Sequence, residues 1–167
     1  MTLEIKRSYL EIKSLDDLSD SSKPSENYYI ELIKEPDFQL NKFFYKNVGK
    51  KYRWTDRLIW TDIQWIEYIN NKNLKTFVLK NEKDLAGYFE IIYHPLKNEK
   101  EIAYFGLLEE YHNKKLGSYF LSCGIKEAFK EKISRLWLHT CTLDHKNALN
   151  NYLARGMKVF KEETIRV

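Results

Sequence analysis

The segment AYFGLLEEYHNKKLGS, residues 103–118, contains a change of hydrophobic period from which the rest of the chain can be placed. The apolar run at 102–108 is short and rich in aromatic residues, which predicts a buried strand that ends near Leu108. From Leu116 the apolar residues recur at helical spacing, which predicts a helix beginning near Lys115. The polar turn between them brings cationic residues to a helix N-terminus, where free N–H groups and the helix dipole favour an anion. The segment therefore predicts a phosphate-binding turn.

This turn resembles motif A of the GNAT superfamily of N-acetyltransferases, in which a loop of form Arg/Gln-x-x-Gly-x-Gly/Ala holds the pyrophosphate of acetyl-CoA. The corresponding residues here are HNKKLG, at 112–117, so that Gly117 is kept and Lys115 replaces the first Gly. A Gly at that position lets the backbone approach a phosphate closely, so the resemblance implies that Lys115 carries a steric cost, partly offset by its charge.

A second segment, LWLHTCTLDHKNALNNYLARGM at residues 136–157, resembles the strand and helix that come later in the same family. Tyr152 and Gly156 fall on the family pattern Asn-x-x-Ala-x-x-x-Tyr-x-x-x-Gly-Phe, while His145 stands in place of the Asn and Met157 in place of the Phe. The resemblance covers roughly residues 75–163. It implies a GNAT (acyl-CoA N-acyltransferase) fold of class α+β, with a mixed, mostly antiparallel central sheet flanked by helices.

The hydrophobic pattern of the whole chain predicts the same order of elements. We expect strands at residues 3–13, 28–33, 75–79, 85–93, 101–108, 135–140 and 158–167, and helices that begin near Asp37, Thr61, Lys115 and Asp144. Asp37 and Asp144 are predicted N-caps, and Thr61 with Gln64 forms a capping-box pattern. The length of 167 residues predicts a single N-acetyltransferase domain spanning residues 1–167.

Composition limits the class of protein. With 43% hydrophobic and 31% charged residues the chain is that of a folded protein, and its net charge of +4 is too small to indicate nucleic acid by itself. A membrane-spanning run and a secretion signal are absent from the sequence, which predicts a cytoplasmic protein without membrane contact. Cys123 and Cys141 are too isolated for a disulfide framework or a metal site, so we expect both to be reduced core residues and no metal to be bound.

The resemblance also implies which residues hold acetyl-CoA as cosubstrate. We expect the backbone after a bulge in the strand to pair with the pantetheine arm, and the turn and helix start to hold the pyrophosphate. His145 is expected at the start of the later helix, either near the cofactor or exposed. The residues concerned are Phe105, Gly106, Leu107, His112, Asn113, Lys114, Lys115, Leu116, Gly117, Ser118 and His145.

Acetyl transfer from a thioester to an amine also needs a proton donor for the thiolate and a base for the ammonium. The resemblance gives Tyr152 the first role, and its ordinary pKa of about 10 suits a donor at neutral pH. Three residues compete for the second role: His139 near the end of a predicted strand, Glu90 on an earlier strand, and Glu101 at the start of the next. A hydrogen-bonded core histidine is the alternative interpretation of His139.

The stretch KFFYKNVGKKYRWTDRLIW, residues 42–60, holds six basic residues and one acid with aromatic residues between them. In the family this connection borders the acceptor pocket, which implies that Tyr52, Trp54 and Arg57 contact the substrate. Arg57 could pair with a carboxylate or phosphate, and the aromatic rings could stack on a ring or cation. The pattern therefore indicates a small amine that also bears an anionic group, although the same residues would equally suit buried aromatics beside a solvated basic face.

Two other functions fit parts of the sequence. A basic stretch with aromatic residues is typical of single-stranded nucleic-acid binders, so a nucleic-acid-binding module using residues 42–60 is one alternative. A protein that binds CoA without turnover is the other, because Lys115 departs from the family pattern. We expect a monomer or homodimer acting on a small molecule or peptide amine, with nucleic acid the weaker hypothesis.

Overall fold

The computed structural model describes residues 2–166 and is built around one seven-stranded sheet. The elements are β1 (Glu4–Ile12), β2 (Tyr28–Leu32), α1 (Phe38–Gly49), α2 (Asp62–Ile69), β3 (Leu74–Asn81), β4 (Asp84–His94), β5 (Glu99–Leu107), α3 (Leu116–Ala128), β6 (Arg135–Cys141), α4 (Ala148–Ala154) and β7 (Lys158–Arg166). This order confirms the one predicted from the sequence. Met1 and Val167, at the ends of the predicted domain and last strand, lie outside the described residues.

The strands lie in the order β2-β3-β4-β5-β6-β1-β7, and neighbours are antiparallel except for β5 and β6. The parallel pair is short, since only Glu99–Glu101 pair with Arg135–Trp137. Beyond these residues the two strands diverge. The N-terminal strand β1 lies between β6 and β7 and is paired with both along most of its length. The strands are therefore paired on both sides of one internal cleft, which lies where β5 and β6 separate.

Helices cover both faces of the sheet. On one face Phe120, Leu121 and Ile125 of α3 are buried in a core that also contains Tyr152 of α4. On the other face Phe44 and Val48 of α1 pack with Val78 and Tyr88, and the rings of Phe44 and Tyr88 stack at 4.8 Å. Among residues 2–166, no helix is long and apolar enough to cross a membrane.

Local signals at the helix starts were mostly correct. Asp37 accepts the Gln39 N–H at 3.0 Å, and Thr61 and Gln64 form the reciprocal capping box. The prediction for Asp144 is wrong, because α4 begins later, at Ala148, with Asn147 as N-cap. The Asp144 carboxylate instead accepts hydrogen bonds from the Thr140 hydroxyl and the Cys141 N–H, so it closes the end of β6 rather than opening a helix.

The two cysteines are free, as expected, but neither belongs to the core. Cys123 on α3 and Cys141 at the end of β6 are both partly exposed. Partial burial raises the pKa of each thiol, so both favour the protonated form at neutral pH.

A buried ion pair ties the loop between α1 and α2 to the centre of the sheet. Glu90 on β4 is fully buried and accepts hydrogen bonds from Arg57 Nη1 at 3.1 Å, Tyr68 Oη at 2.7 Å and Asn41 Nδ2 at 2.8 Å. The Arg57 guanidinium lies between 4.0 and 5.6 Å from the centroids of five aromatic rings: Tyr45, Trp60, Trp65, Tyr68 and Tyr104. Both charges are thus satisfied inside the protein.

We expect Glu90→Gln to lower the free energy of unfolding by about 3–5 kcal/mol, because it leaves the Arg57 guanidinium buried without a countercharge. Urea unfolding of the two proteins measures the difference. Glu31→Gln is the matched control, since Glu31 on β2 pairs with Lys80 of the adjacent strand β3 at the surface, and the variant should lose no more than about 1 kcal/mol. Equal losses in the two variants would contradict a structural role for the buried pair.

Candidate active site

A cavity of about 1090 Å³ opens where β5 and β6 diverge. Its walls come from β5, the start of α3, the end of β6, the first turns of α4 and the loop between α1 and α2, with a further contribution from β1. A cavity of this size suits a ligand larger than a single small metabolite. Both the predicted cofactor residues at the start of α3 and the predicted substrate residues at 52–57 line this cavity.

The backbone of β5 is unpaired along the cleft. Glu90 pairs with Tyr104 and Ile91 with Ile102, so Ala103 forms a bulge, as the family resemblance implied. Leu108 donates its N–H to Ala86 O at 2.8 Å, and bonding in an antiparallel pair alternates along the strand. The polar groups of Phe105 and Leu107 therefore face away from β4, toward the space left by β6. This free edge can pair with an extended chain that bears amides.

The start of α3 has the conformation of an anion-binding turn. Asn113 and Lys115 both have left-handed backbones, with φ of 61° and 60°. Within residues 2–166 no side chain caps the N-terminus of α3, whose N-cap is Lys115. Its first N–H groups thus remain available for an anion, and the helix dipole adds to their attraction. Lys115 pays the steric cost of a left-handed residue, about 1–2 kcal/mol, which explains why the family pattern places Gly there.

Ten of the eleven predicted cofactor residues line the cavity, and Lys114 does not. His112 and His145 lie with ring centroids 5.3 Å apart, and the Tyr52 ring lies 6.2 Å from His145. His112 Nε2 lies 3.0 Å from Leu107 O, and because a carbonyl only accepts, this nitrogen carries the proton. Burial and the neighbouring His112 lower the pKa of His145, whose Nδ1 accepts the Asn147 N–H at 3.1 Å.

Tyr152 and His139 lie on the walls of the same cavity. Tyr152 is buried against Phe105, with ring centroids 6.4 Å apart, and this burial raises the pKa of its phenol well above the usual 10. The phenol is therefore protonated at neutral pH. Desolvation in the cleft and the charge of Arg7 lower the pKa of His139, which leaves its imidazole neutral near pH 7 and able to accept a proton.

The other predicted catalytic and substrate residues divide into two groups. Tyr52 and Trp54 line the cavity, as does Glu101, whose Oε1 lies 2.9 Å from His94 Nε2. Glu90 does not line the cavity, and three donors surround its carboxylate, so the geometry does not support Glu90 as a base. Arg57 lines the cavity, but Glu90 and the aromatic rings already satisfy its guanidinium. Its predicted pairing with a substrate anion is not supported either.

Several cavity residues were missed by the analysis of the sequence. Arg7 on β1, Asp56 before the buried arginine, and Tyr68 on α2 all line the cleft. Asp56 directly precedes Arg57, whose charge marked the stretch 42–60, whereas Tyr68 lies beyond that stretch. Arg7 had no signal in the sequence, because only the placement of β1 beside β6 brings it to the site. No group of three or more metal-ligating side chains is close enough to hold a metal ion within the part of the chain that the structure describes.

Comparison with known proteins agrees with this architecture. The model of the acetyltransferase (GNAT) family matches residues 27–157. A GCN5-related N-acetyltransferase from Sphaerobacter thermophilus is similar in structure, with a TM-score of 0.74, 11% identity, and coverage of 97% of this chain and 50% of that one. A GCN5-related N-acetyltransferase from Kribbella flavida gives a TM-score of 0.67, 13% identity, and coverage of 99% and 58%.

An aminoglycoside acetyltransferase, meta-AAC0020 from an uncultured soil metagenomic sample, gives a TM-score of 0.65 at 13% identity, covering 80% of this chain and 90% of that one. The chain spans only 50% to 61% of the length of the first three structures it matches. A sequence comparison with curated proteins found no match. At these identities the structural likeness establishes the fold, while the family model covers well over half of the chain. The protein therefore belongs to the GNAT family of acetyltransferases, and its α+β structure has the fold of that family.

Proposed function

We propose that this protein is an acetyl-CoA-dependent N-acetyltransferase that transfers the acetyl group directly to the primary amine of a small molecule. The observation that carries the proposal is the single cleft that joins the free N-terminus of α3 to Tyr152 and His139. Acetyl-CoA supplies the activated acetyl group when it is bound. The aminoglycoside acetyltransferase among the structural relatives supports a small-molecule acceptor.

The residues of this chain fit acetyl-CoA in three places. Backbone N–H groups at the start of α3 would bind the pyrophosphate, and Lys115 adds a positive charge beside them. The edge of β5 at Phe105 and the Leu107 N–H would bind the amides of the pantetheine arm, while Leu107 O already accepts a hydrogen bond from His112 Nε2. The Tyr152 ring lies 6.4 Å from that of Phe105 on this edge, and the thioester would be placed beside it.

The proposed reaction needs two proton transfers. The amine nitrogen attacks the thioester carbonyl carbon, the C–S bond breaks, and Tyr152 donates its phenolic proton to the departing sulfur. His139 accepts the proton that the amine nitrogen loses, either directly or through one water. Tyr152, which has given up its proton, is restored from solvent. Glu101 is the second candidate for the base because it also lines the cavity.

The nucleic-acid alternative has less support in the structure. Three of the six basic residues in 42–60 pair with acids: Lys42 with Asp62, Lys51 with Glu109, and Arg57 with Glu90. Tyr52, Trp54 and Trp60 are only partly exposed and contact other protein rings. These side chains therefore stabilise the loop between α1 and α2 rather than form a stacking surface. The single-domain organisation, the cytoplasmic location and the oligomeric state stay predictions.

Acetyl-CoA should raise the Tm of the protein, and thiol release in an amine panel should identify an acceptor.

Tyr152→Phe should lower kcat by about 10²–10⁴-fold with little change in the Kd of CoA, because only the proton donor is removed. The control is Tyr93→Phe, since Tyr93 bonds Asn98 outside the cavity and should retain full activity. Equal loss of turnover and CoA affinity in Tyr152→Phe would contradict the assigned role.

The pH dependence of kcat/KM tests the base. The pKa of His139 is lowered in the folded protein, so its base form, and with it activity, should be lost only as the pH falls below the ordinary histidine value of about 6.5. His139→Gln should lower kcat/KM and remove this loss of activity at acidic pH. The pH dependence that remains should be the one caused by protonation of the amine substrate. If Glu101→Gln removes the limb while His139→Gln leaves it in place, Glu101 is the base.

Lys115→Gly should stabilise the protein by roughly 1 kcal/mol, because Gly adopts the left-handed backbone without strain. Lys114→Gly should have no such benefit, since Lys114 lacks a positive φ and Gly adds entropy to the unfolded chain. Chemical unfolding compares the two variants. The Tm shift caused by acetyl-CoA should persist in Lys115→Gly, since the proposed phosphate ligands are backbone N–H groups; its complete loss would assign binding to the side chain.

A further inference from the structure

One wall of the cleft comes from β1, which precedes the region matched by the family model. Arg7 and Ile5 on this strand line the cavity. Arg7 lies opposite Cys141 of β6 and Glu163 of β7, and Tyr9, two residues later, lies opposite His139. Because side chains alternate along a strand, Arg7 and His139 share one face of the sheet. A cation and the proposed base are therefore neighbours in the cleft.

The hydrogen bonds of Arg7 are incomplete. Its Nε is buried and has no hydrogen-bond partner among residues 2–166. Glu163 on β7 forms a partly exposed ion pair with Arg7, but its Oε1 lies 3.6 Å from Arg7 Nη1, beyond hydrogen-bond distance, and already accepts the Tyr9 hydroxyl at 2.7 Å. A buried donor without a partner is costly, and native proteins seldom leave one. The Arg7 side chain is 31% exposed and lines the cavity, so its guanidinium keeps hydrogen-bonding capacity for an acceptor group that enters there, beside its ion pair with Glu163.

The other arginines of the cavity differ from Arg7. The Arg57 guanidinium is paired with Glu90 and enclosed by aromatic rings. Arg53, in the loop between α1 and α2, is exposed to solvent. At the same time Glu101 and Asp56 supply carboxylates along the cavity, which suits a ligand that carries both charges.

We propose that Arg7 binds a carboxylate of the acceptor, so that the substrates of this enzyme are small amines that also carry a carboxylate. This inference rests on the proposed N-acetyltransferase function. The planar guanidinium matches the two oxygens of a carboxylate, which fixes the orientation of the substrate as well as its affinity. With the carboxylate held at Arg7, the amine lies toward His139 and the path to Tyr152. Acetylation removes the positive charge of the amine and leaves the carboxylate bound until product release.

The test compares matched acceptors and variants. The panel contains amino acids, their carboxamides and 2-aminoethyl phosphate, with thiol release from acetyl-CoA and calorimetric binding to the CoA-saturated protein as readouts. The wild-type protein should prefer a carboxylate-bearing amine over its carboxamide by at least about tenfold. Arg7→Gln should raise KM for the carboxylate acceptor by about 10–100-fold, the size expected for charge-assisted hydrogen bonds. At pH 8, where His139 is neutral with or without the charge of Arg7, kcat should change much less, and KM for the carboxamide should change little. Arg7→Lys, which keeps the charge but not the planar fork, should restore only part of the affinity.

Arg166→Gln is the matched control, because Arg166 lies on β7, pairs with Glu4 and does not line the cavity. It should retain the preference for a carboxylate. Equal binding of acid and amide by the wild type, or binding of neither, would overturn the proposal, as would loss of the preference in Arg53→Gln but not in Arg7→Gln. Tighter binding of 2-aminoethyl phosphate would assign the site to phosphate instead. A Tm shift with acetyl-CoA, together with thiol release in any of these cases, would leave the proposed N-acetyltransferase function standing.

Discussion

The active-site cleft depends on the brief contact between β5 and β6. These strands are parallel neighbours over three residues, and then the bulge at Ala103 bends one strand while β1 pairs with the other along six residues. A backbone edge inside a sheet is normally satisfied by its neighbour, so the divergence exposes hydrogen-bonding groups where a ligand can replace the missing strand. Antiparallel pairing on both sides preserves the sheet despite this interruption. The same divergence makes room for Tyr152 from one face and for the loop between α1 and α2 from the other.

The acceptor side of the cleft requires a second constraint, the buried pair of Arg57 and Glu90. A loop of this length over a sheet would be mobile unless something fixed it, and here an ion pair with two further donors and a ring of aromatic side chains does so. Tyr104 belongs to both structures, since it packs on Arg57 and lies next to the bulge. The loop and the free edge of β5 are thereby held in a fixed relation. The charge of Arg57, which the sequence suggested was available for a ligand, instead stabilises this loop through Glu90.

Much of the fold followed from local patterns because those patterns are set by neighbours in the chain. Periodicity located the strands and helices, and the caps at Asp37 and Thr61 were correct because a cap acts within one turn. The prediction that Asp144 caps a helix was wrong, because its carboxylate accepts hydrogen bonds from Thr140 and Cys141 of β6 instead of from the N–H groups of a helix. The proposed cofactor side of the site was predicted by resemblance, since the residues of a phosphate-binding turn are contiguous in the chain. Glu90 and Arg57, 33 residues apart, could not be recognised as partners from spacing.

The sequence by itself determined the class of fold, the family, and the turn at the start of α3, because each depends on residues that are close together in the chain. Tertiary structure alone decided which charged side chains line the cleft and which are enclosed in the core. Glu90 and Arg57 neutralise each other in a core where burial makes an unpaired charge costly, while Arg7 reaches the cleft because β1 inserts between β6 and β7, and its Nε stays unpaired there. These contacts depend on the pairing of strands that are far apart in the chain. The hydrophobic period of a strand predicts the strand itself but does not indicate which other strand pairs with it.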